Sequence, residues 1–272
     1  MLPFSVLLSL YHKERPDNLS QSLDSVFNQT VLPNEVVLVE DGPLTDELYA
    51  VVEAYRSKYP LLRVVKLPCN GGLGKALNVG LQHCSYDLVA RMDTDDIAYP
   101  DRFEKQLNVF RSDPKVDLCG AWIAEFEGEP SHVVSVRKVP EKHGEIYRYA
   151  QQRSPVNHPV VMFRKSAVLK AGGYLHFPLF EDYYLWARML MHGACFYNLP
   201  ESLLYFRFSP DMFRRRGGWR YAMSELRLQW LFYRMSFIGM PLMLKNCAIR
   251  LAARLMPNQL RSTLYKRLIR SC

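Results

Sequence analysis

The chain begins with a continuous apolar run, "FSVLLSL" (4–10). A run so short and unbroken predicts a strand buried on both faces. Leu19, Leu23, Val26 and Phe27 follow at i, i+4, i+7 and i+8, the spacing of a helix with one apolar face, and Asp17 stands where an N-cap would. The alternation then repeats. "EVVLVED" (35–41) reads as a strand, "DELYAVVEAYRSKY" (46–59) as a helix and "LRVVKL" (62–67) as a strand. "LGKALNVGLQHC" (73–84) reads as a helix and "YDLVARM" (86–92) as a strand. Strands and helices in turn predict βαβ units and a mainly parallel sheet, an α/β fold.

After one more helix in "PDRFEKQLNVFRSDP" (100–114) the rhythm loosens. "VDLCGAWIAEF" (116–126) and "HVVSVRKV" (132–139) read as a strand pair. "VVMFRKS" follows "SPVNHP", then come a turn at Gly172-Gly173 and a helix from about Glu181 to His192. Two or three helices outside the α/β body are expected from Trp219 onwards.

In parallel sheets ligands bind at the carboxyl ends of the strands. Ser9 to Tyr11, Glu40-Asp41 and the acids Asp93, Asp95 and Asp96 all fall at such ends. Carboxylates two residues apart at a strand end can turn oxygens toward one hard cation, Mg²⁺ or Mn²⁺ shared with substrate phosphates. A solvated acidic turn before a helix is the plainer reading of the same residues. "CNGGLGKALNVG" (69–80) fails as a phosphate loop at Cys69 and Ala76. Its glycines still let a helix start approach a phosphate, with Lys75 nearby; a tight strand-to-helix turn explains it equally well. "LFEDYYLWARML" (179–190) opens a helix with Glu181-Asp182, where acids suit the helix dipole, and follows them with Tyr183, Tyr184 and Trp186. Those rings suit either a sugar pocket or a core. His158, between prolines, has no serine or cysteine beside it to complete a triad.

Composition narrows the class. The chain has 272 residues, 49% hydrophobic and 23% charged, which argues against global disorder. Its six cysteines show neither a C-x-x-C pair nor zinc spacing, so free thiols are expected. "MLPFSVLLSLYHKE" lacks the basic start and cleavage site of a signal peptide, and "FIGMPLMLKNCAIRLAARLM" (237–256) is broken by Lys245, Arg250 and Arg254. A cytoplasmic chain without a membrane span is expected. The net charge of +8 is uneven, since from Arg207 onward 14 lysines and arginines face only Asp211 and Glu225. Such a tail seeks anions, either nucleic acid or acidic lipid headgroups.

Taken in order, "FSVLLSLYHKE", "SLDSVFNQT", "EVVLVEDG", "NGGLGKALNVGL", "RMDTDDIAYPDR", "NHPVVMFRKSAVLKAGGY" and "FEDYYLWARM" resemble the inverting family 2 glycosyltransferases over roughly residues 3–205. The branch that builds O-antigens and exopolysaccharides on polyprenyl-diphosphate carriers is the most similar. The resemblance implies a GT-A fold over 1–206, with 207–272 as a basic amphipathic helical extension. It implies a UDP-sugar donor held by Ser9, Tyr11, Asp41, Lys75 and Asp93, with Glu40 in place of the family's frequent first Asp. Asp93, Asp95 and Asp96 would hold the Mn²⁺ or Mg²⁺ that stabilises departing UDP, and Asp182 would be the general base. Glu181, Trp186 and His158 are candidates for the acceptor side.

The implied reaction moves a hexose, glucose or galactose, onto a lipid-linked sugar with inversion. "RRRGGWR" (214–220) and the Arg-studded helices after it fit the cytoplasmic face of the inner membrane better than nucleic acid, since no nucleic-acid motif is present. A sugar-phosphate nucleotidyltransferase would need a glycine-rich loop after the first strand, and "SLYHKERP" has no glycine. A non-enzymatic adaptor on a degenerate body is countered by intact acids at all three rim positions.

Overall fold

A computed structural model describes residues 2–208 and 218–255. The basic run at 214–217 and residues 256–272 therefore lie outside the described residues. Strands β1 (Phe4–Leu10), β2 (Glu35–Glu40), β3 (Leu62–Lys66) and β4 (Leu88–Asp93) form the parallel half of one sheet, in spatial order β3-β2-β1-β4. Beyond β4 come β5 (Ile97–Ala98), β6 (Val116–Phe126), β7 (Val133–Arg137), β8 (Met162–Arg164) and β9 (Cys195–Arg207). They extend the sheet as β4-β8-β6-β9-β5, with β7 on β6. Directions mix here: β8 runs antiparallel to β4 and β6, whereas β9 runs parallel to β6.

The helices are α1 (Pro16–Phe27), α2 (Asp46–Lys58), α3 (Leu73–His83), α4 (Arg102–Ser112) and α5 (His143–Ala150). Then follow α6 (Lys165–Lys170), α7 (Glu181–Met191), α8 (Trp219–Arg234) and α9 (Met240–Leu255). The two-residue period of a strand sorts them into layers. Val6, Leu8, Val36, Leu38, Ala90 and Met92 face one core, shared with α1, α2 and α4. Leu7, Val37, Val39 and Val89 face the other, shared with α3 and α5 through α9. Burying one such Val or Leu side chain contributes about 1.5–3 kcal/mol, so the alternating strand residues favour helix layers on both faces of the sheet.

Two local expectations change. The N-cap of α1 is Arg15, with Pro16 at the first helical position, so Asp17 sits within the first turn as an acid on the helix dipole. The helices after Trp219 do not stand off the body. Leu228, Phe232, Phe237, Ile238 and Met243 belong to the core that contains Leu185 and Trp186, and Phe232 meets Tyr183 edge-on at 5.0 Å.

α3 lies close to the sheet because Gly80 has no side chain. A Cβ there would overlap Leu7 Cδ1 and come within 2.8 Å of Val39 Cγ2. Gly80→Ala is expected to cost about 1–3 kcal/mol of stability in urea unfolding. Gly144→Ala, on α5 with nothing within 4 Å of the new methyl, is expected to be neutral or to gain up to about 1 kcal/mol.

Candidate active site

The strand ends set the rim. Leu10 pairs with Glu40, and Ser9 pairs with both Val39 and Asp93. Val89, Arg91 and Asp93 alternate toward the α3–α7 layer, since Val89 belongs to that core. Arg91 is fully buried, and both its terminal nitrogens donate to Asp93, Nη1 to Oδ2 at 2.8 Å and Nη2 to Oδ1. Sequence reading passed over this arginine, although its spacing of two from Asp93 on a strand was the available signal. Arg102, buried at the start of α4, donates through Nη2 to the Arg91 carbonyl at 2.7 Å and fastens the same strand from below. Burial first, and then the Arg91 charge, push Arg102 down to about 9.

Past β4 the chain turns through Asp95 and Asp96. One ligand oxygen from each of Asp93, Asp95 and Asp96 lies within 4.8 Å of the others. Asp96 is fully buried; its Oδ1 accepts from the Arg207 backbone N–H at 2.9 Å, and its Oδ2 is buried without a hydrogen-bond partner. Arg207 Nε also donates to the Asp95 carbonyl at 2.9 Å, so the end of β9 clamps the acidic turn. Burial, then the charges of Asp93 and Glu14, push Asp95 up to about 7. Burial, then Asp95 and Asp93, hold Asp96 well above the usual carboxylate range. An all-oxygen cluster with a partnerless buried oxygen fits a hard divalent cation.

The glycine loop forms the next part of the rim. Asp41 is buried, and its oxygens accept from the Gly71 and Gly72 N–H groups at 2.7 and 3.0 Å. Gly42 makes that approach possible, because its φ is +88° and a Cβ would stand 2.6 Å from the Asn70 nitrogen. The Asp41 carboxylate thus holds the loop ahead of α3 in addition to any ligand it meets. Glu40, beside it, is buried with Lys66 at 3.7 Å; burial outweighs that lysine and raises its pKa. Lys75 is exposed on the first turn of α3, its stem alongside Gly71. Tyr11 is exposed just beyond β1, and Thr94 Oγ1 donates to the Ser9 carbonyl at 3.4 Å.

A pocket of about 190 Å³ opens between this rim and α7. Its walls include Arg91, Asp93, Glu125, Arg137, His158 and Asp182. Asp93 and Asp182, 89 positions apart in the chain, thus line one cavity. Glu181 packs against Gly74, where a Cβ would lie 3.4 Å from its Cγ. Burial raises the Glu181 pKa despite the α7 N-terminus, and Asp182 adds to the rise. His158 Nε2 lies 3.0 Å from Tyr174 Oη, and burial, then Arg91, keep the imidazole neutral. Asn78 on α3 fixes that tyrosine by accepting from its N–H at 2.8 Å and donating to its carbonyl at 2.6 Å.

One expectation is corrected here. Trp186 is 0% exposed and packs edge-on to His158 at 5.7 Å, so it supports the pocket from within the core and cannot floor it. Tyr183 is likewise buried. The helical period turns both rings inward, whereas Asp182 lines the cavity. Arg91, Arg137 and Tyr174 were missed because each lies in a stretch that reads as ordinary strand or turn, and Arg207 because β9, the strand it ends, leaves no clear period.

A sheet whose parallel half ends in an acid cluster, with an acid from a helix start lining the same pocket, is compatible with a sugar transferase of the GT-A type. A family model, "Glycosyl transferase family 2", matches residues 5–172. The chain belongs to glycosyl transferase family 2, and it is a glycosyltransferase. The UDP-Gal:alpha-D-GlcNAc-diphosphoundecaprenol beta-1,3-galactosyltransferase of Escherichia coli is 40% identical over 267 residues, covering 98% of this chain and 96% of its own length. The amylovoran biosynthesis glycosyltransferase AmsE of Erwinia amylovora is 42% identical over 264 residues, 97% and 98% of the two chains. The mannosyltransferase PcManGT of Pyrobaculum calidifontis, solved with GDP-Man and Mn²⁺, shares the fold with a TM-score of 0.64 at 17% identity, over 98% of this chain and 79% of that one.

Raised carboxyl pKa values make two effects measurable. A cation needs the carboxylates ionised, so Mn²⁺ should bind about tenfold more tightly at pH 8 than at pH 6, with proton release detectable by calorimetry in buffers of different ionisation enthalpy. Without metal, Asp95 and Asp96 hold protons more tightly folded than unfolded, so their contribution to stability falls as pH rises from about 4 toward 7. Mn²⁺ affinity independent of pH would contradict the first effect, and a native-minus-Asp95→Asn difference in denaturant stability that does not fall from about pH 4 to pH 7 would contradict the second.

Proposed function

We propose that the protein transfers a hexose, galactose or glucose, from a UDP-sugar to a hydroxyl of a polyprenyl-diphosphate-linked sugar in O-antigen or exopolysaccharide synthesis, inverting the anomeric centre. The observation that carries this is the single pocket lined by Asp93 and Asp182, with two more carboxylates on the turn beside it. The donor and acceptor classes are supported by the E. coli relative, which is named for UDP-Gal as donor and GlcNAc-diphosphoundecaprenol as acceptor.

Ser9, Tyr11, Asp41 and Asp93 at or just beyond the strand ends, with Lys75 on the first turn of α3, would hold the nucleotide. Asp95 and Asp96, supported by Asp93, would hold Mg²⁺ or Mn²⁺, whose charge would stabilise the leaving diphosphate. The Mn²⁺ in the mannosyltransferase structure supports a divalent ion in general. Asp182 accepts the proton of the acceptor hydroxyl as its oxygen bonds to the anomeric carbon. The bond from that carbon to the UDP oxygen breaks on the opposite face, so one displacement inverts configuration and the electron pair leaves with UDP. His158, neutral and bonded to Tyr174, and Glu181 border the acceptor side. Residues 1–206 carry this chemistry, and 207–272 form a basic extension that shares the core of the body through α8 and α9. No helix among the described residues is long and apolar enough to cross a membrane. The diphosphoundecaprenol-linked acceptor in the name of the E. coli relative supports a meeting with the acceptor at the cytoplasmic surface of the inner membrane.

A UDP-release assay with a panel of nucleotide sugars and a GlcNAc-diphosphate-lipid acceptor should show one UDP-hexose turned over, dependent on acceptor and lost with EDTA. Asp182→Asn should lower turnover by about 10²–10⁴-fold while UDP binding persists. Full turnover in Asp182→Asn would remove the base from this residue, and acceptor-independent release would remove the transfer reaction.

A further inference from the structure

The outward face of the α8–α9 hairpin takes no part in the pocket. α8 buries Ala222, Glu225, Leu228, Gln229 and Phe232, and α9 buries Met243 and Asn246. Opposite that buried face, Trp219, Met223, Leu226 and Trp230 recur at i, i+4, i+7 and i+11. Arg220, Arg227 and Arg234 run beside them. On α9, Leu244 and Ile249 face outward next to Lys245. Trp219, Trp230, Leu244 and Ile249 are 63, 54, 58 and 56% exposed, so each helix is apolar on its outer face as well as its inner one. Glu225 is the one acid between positions 212 and 272, and it is buried against Arg250. No acid is therefore presented on the outward face of this hairpin.

Aromatic and aliphatic residues among unopposed arginines match one kind of surface. A second copy would set Arg220, Arg227 and Arg234 against their own equivalents, which like-charge repulsion opposes. A nucleic acid would satisfy the arginines but leave Leu244 and Ile249 uncovered. An anionic bilayer satisfies both sets, with phosphates for the cations and the headgroup–acyl boundary for the apolar side chains.

The position of the hairpin also links it to the pocket. Tyr221 meets Phe180 edge-on at 5.1 Å, and Ser224 Oγ donates to the Pro178 carbonyl at 2.6 Å. Both contacts fall on the loop that leads into Glu181-Asp182. Leu179 in that loop has φ +73° and is 51% exposed, a strained leucine that gains no core burial.

We propose that the outward face of α8–α9 is a docking surface for an anionic phospholipid bilayer. Trp219, Trp230, Leu244 and Ile249 enter the interface, and Arg220, Arg227, Arg234 and Lys245 meet lipid phosphates. This deepens the reading of the acceptor as lipid-linked and rests on that reading for its purpose. The test is co-sedimentation of the full chain with vesicles of phosphatidylcholine alone, and of phosphatidylcholine mixed with phosphatidylglycerol.

Binding is expected to the mixed vesicles and to be far weaker on the neutral ones. The triple variant Arg220→Gln, Arg227→Gln, Arg234→Gln should lose on the order of a hundredfold in partition. The double variant Trp230→Ser, Leu244→Ser should lose about tenfold. Both should keep the native unfolding transition and native turnover of a short-tailed, water-soluble acceptor. Unchanged vesicle binding in both variants would overturn the proposal, as would variants that lose self-association or RNA binding in place of lipid binding. Native vesicle binding with no turnover of any lipid-linked acceptor would defeat the proposed acceptor and leave this surface standing. Turnover without vesicle binding would do the reverse.

Discussion

Three carboxylates whose oxygens lie within 4.8 Å of one another repel, and the acid end of the fold is built around managing that repulsion. Arg91 takes the first of them. Its buried guanidinium grips Asp93 through both terminal nitrogens, while Asp95 and Asp96 are left to share protons or a cation. A buried ion pair of this kind contributes little net stability, because desolvating the two charges offsets much of their attraction. Its effect is positional. β4 is paired on both sides, to β1 and β8, and Arg102 holds it from beneath, so Asp93 is set at a fixed height on the rim.

The rest of the site depends on the same sheet. Because Val89, two residues before Arg91 on the same strand face, belongs to the α3–α7 core, groups from that layer can reach Arg91 and Asp93, beside Glu125 of β6 and Arg137 of β7. α7 supplies Asp182 to the shared pocket, and α3 supplies Asn78, which fixes Tyr174 beneath His158. Glycines keep the layer close: Gly80 lets α3 lie on Leu7 and Val39, and Gly74 makes room for Glu181. The α8–α9 hairpin backs α7 through Phe232 on Tyr183, so the carrier of the proposed base is packed from both sides.

Much of this was legible in the sequence, and the reasons are physical. The periods of β1, β2, β4 and α1–α4 are clean because each of those strands is buried on both faces and each helix on one, whereas β3, at the sheet edge, buries only Leu62 fully. The ends of those strands then placed the acidic rim. β9 was not legible, since Pro200 interrupts it and its pairing to β6 shifts register more than once. β5 is two residues long, too short for any period. Trp186 misled because an apolar ring near a helix start looks the same whether it turns inward or lines a cavity. Arg91 and Arg207 stayed hidden for the opposite reason: their roles come from partners, one on the same strand face and the other 111 positions away.

Calorimetric titration of UDP into the native chain and into Asp95→Ala, each with and without Mn²⁺, bears hardest on the acid cluster. If Asp95 and Asp96 hold the cation, native UDP binding strengthens by about tenfold or more with Mn²⁺, and Asp95→Ala binds UDP with no response to the ion. Native binding equally strong with and without Mn²⁺, or a full Mn²⁺ response in Asp95→Ala, would contradict it.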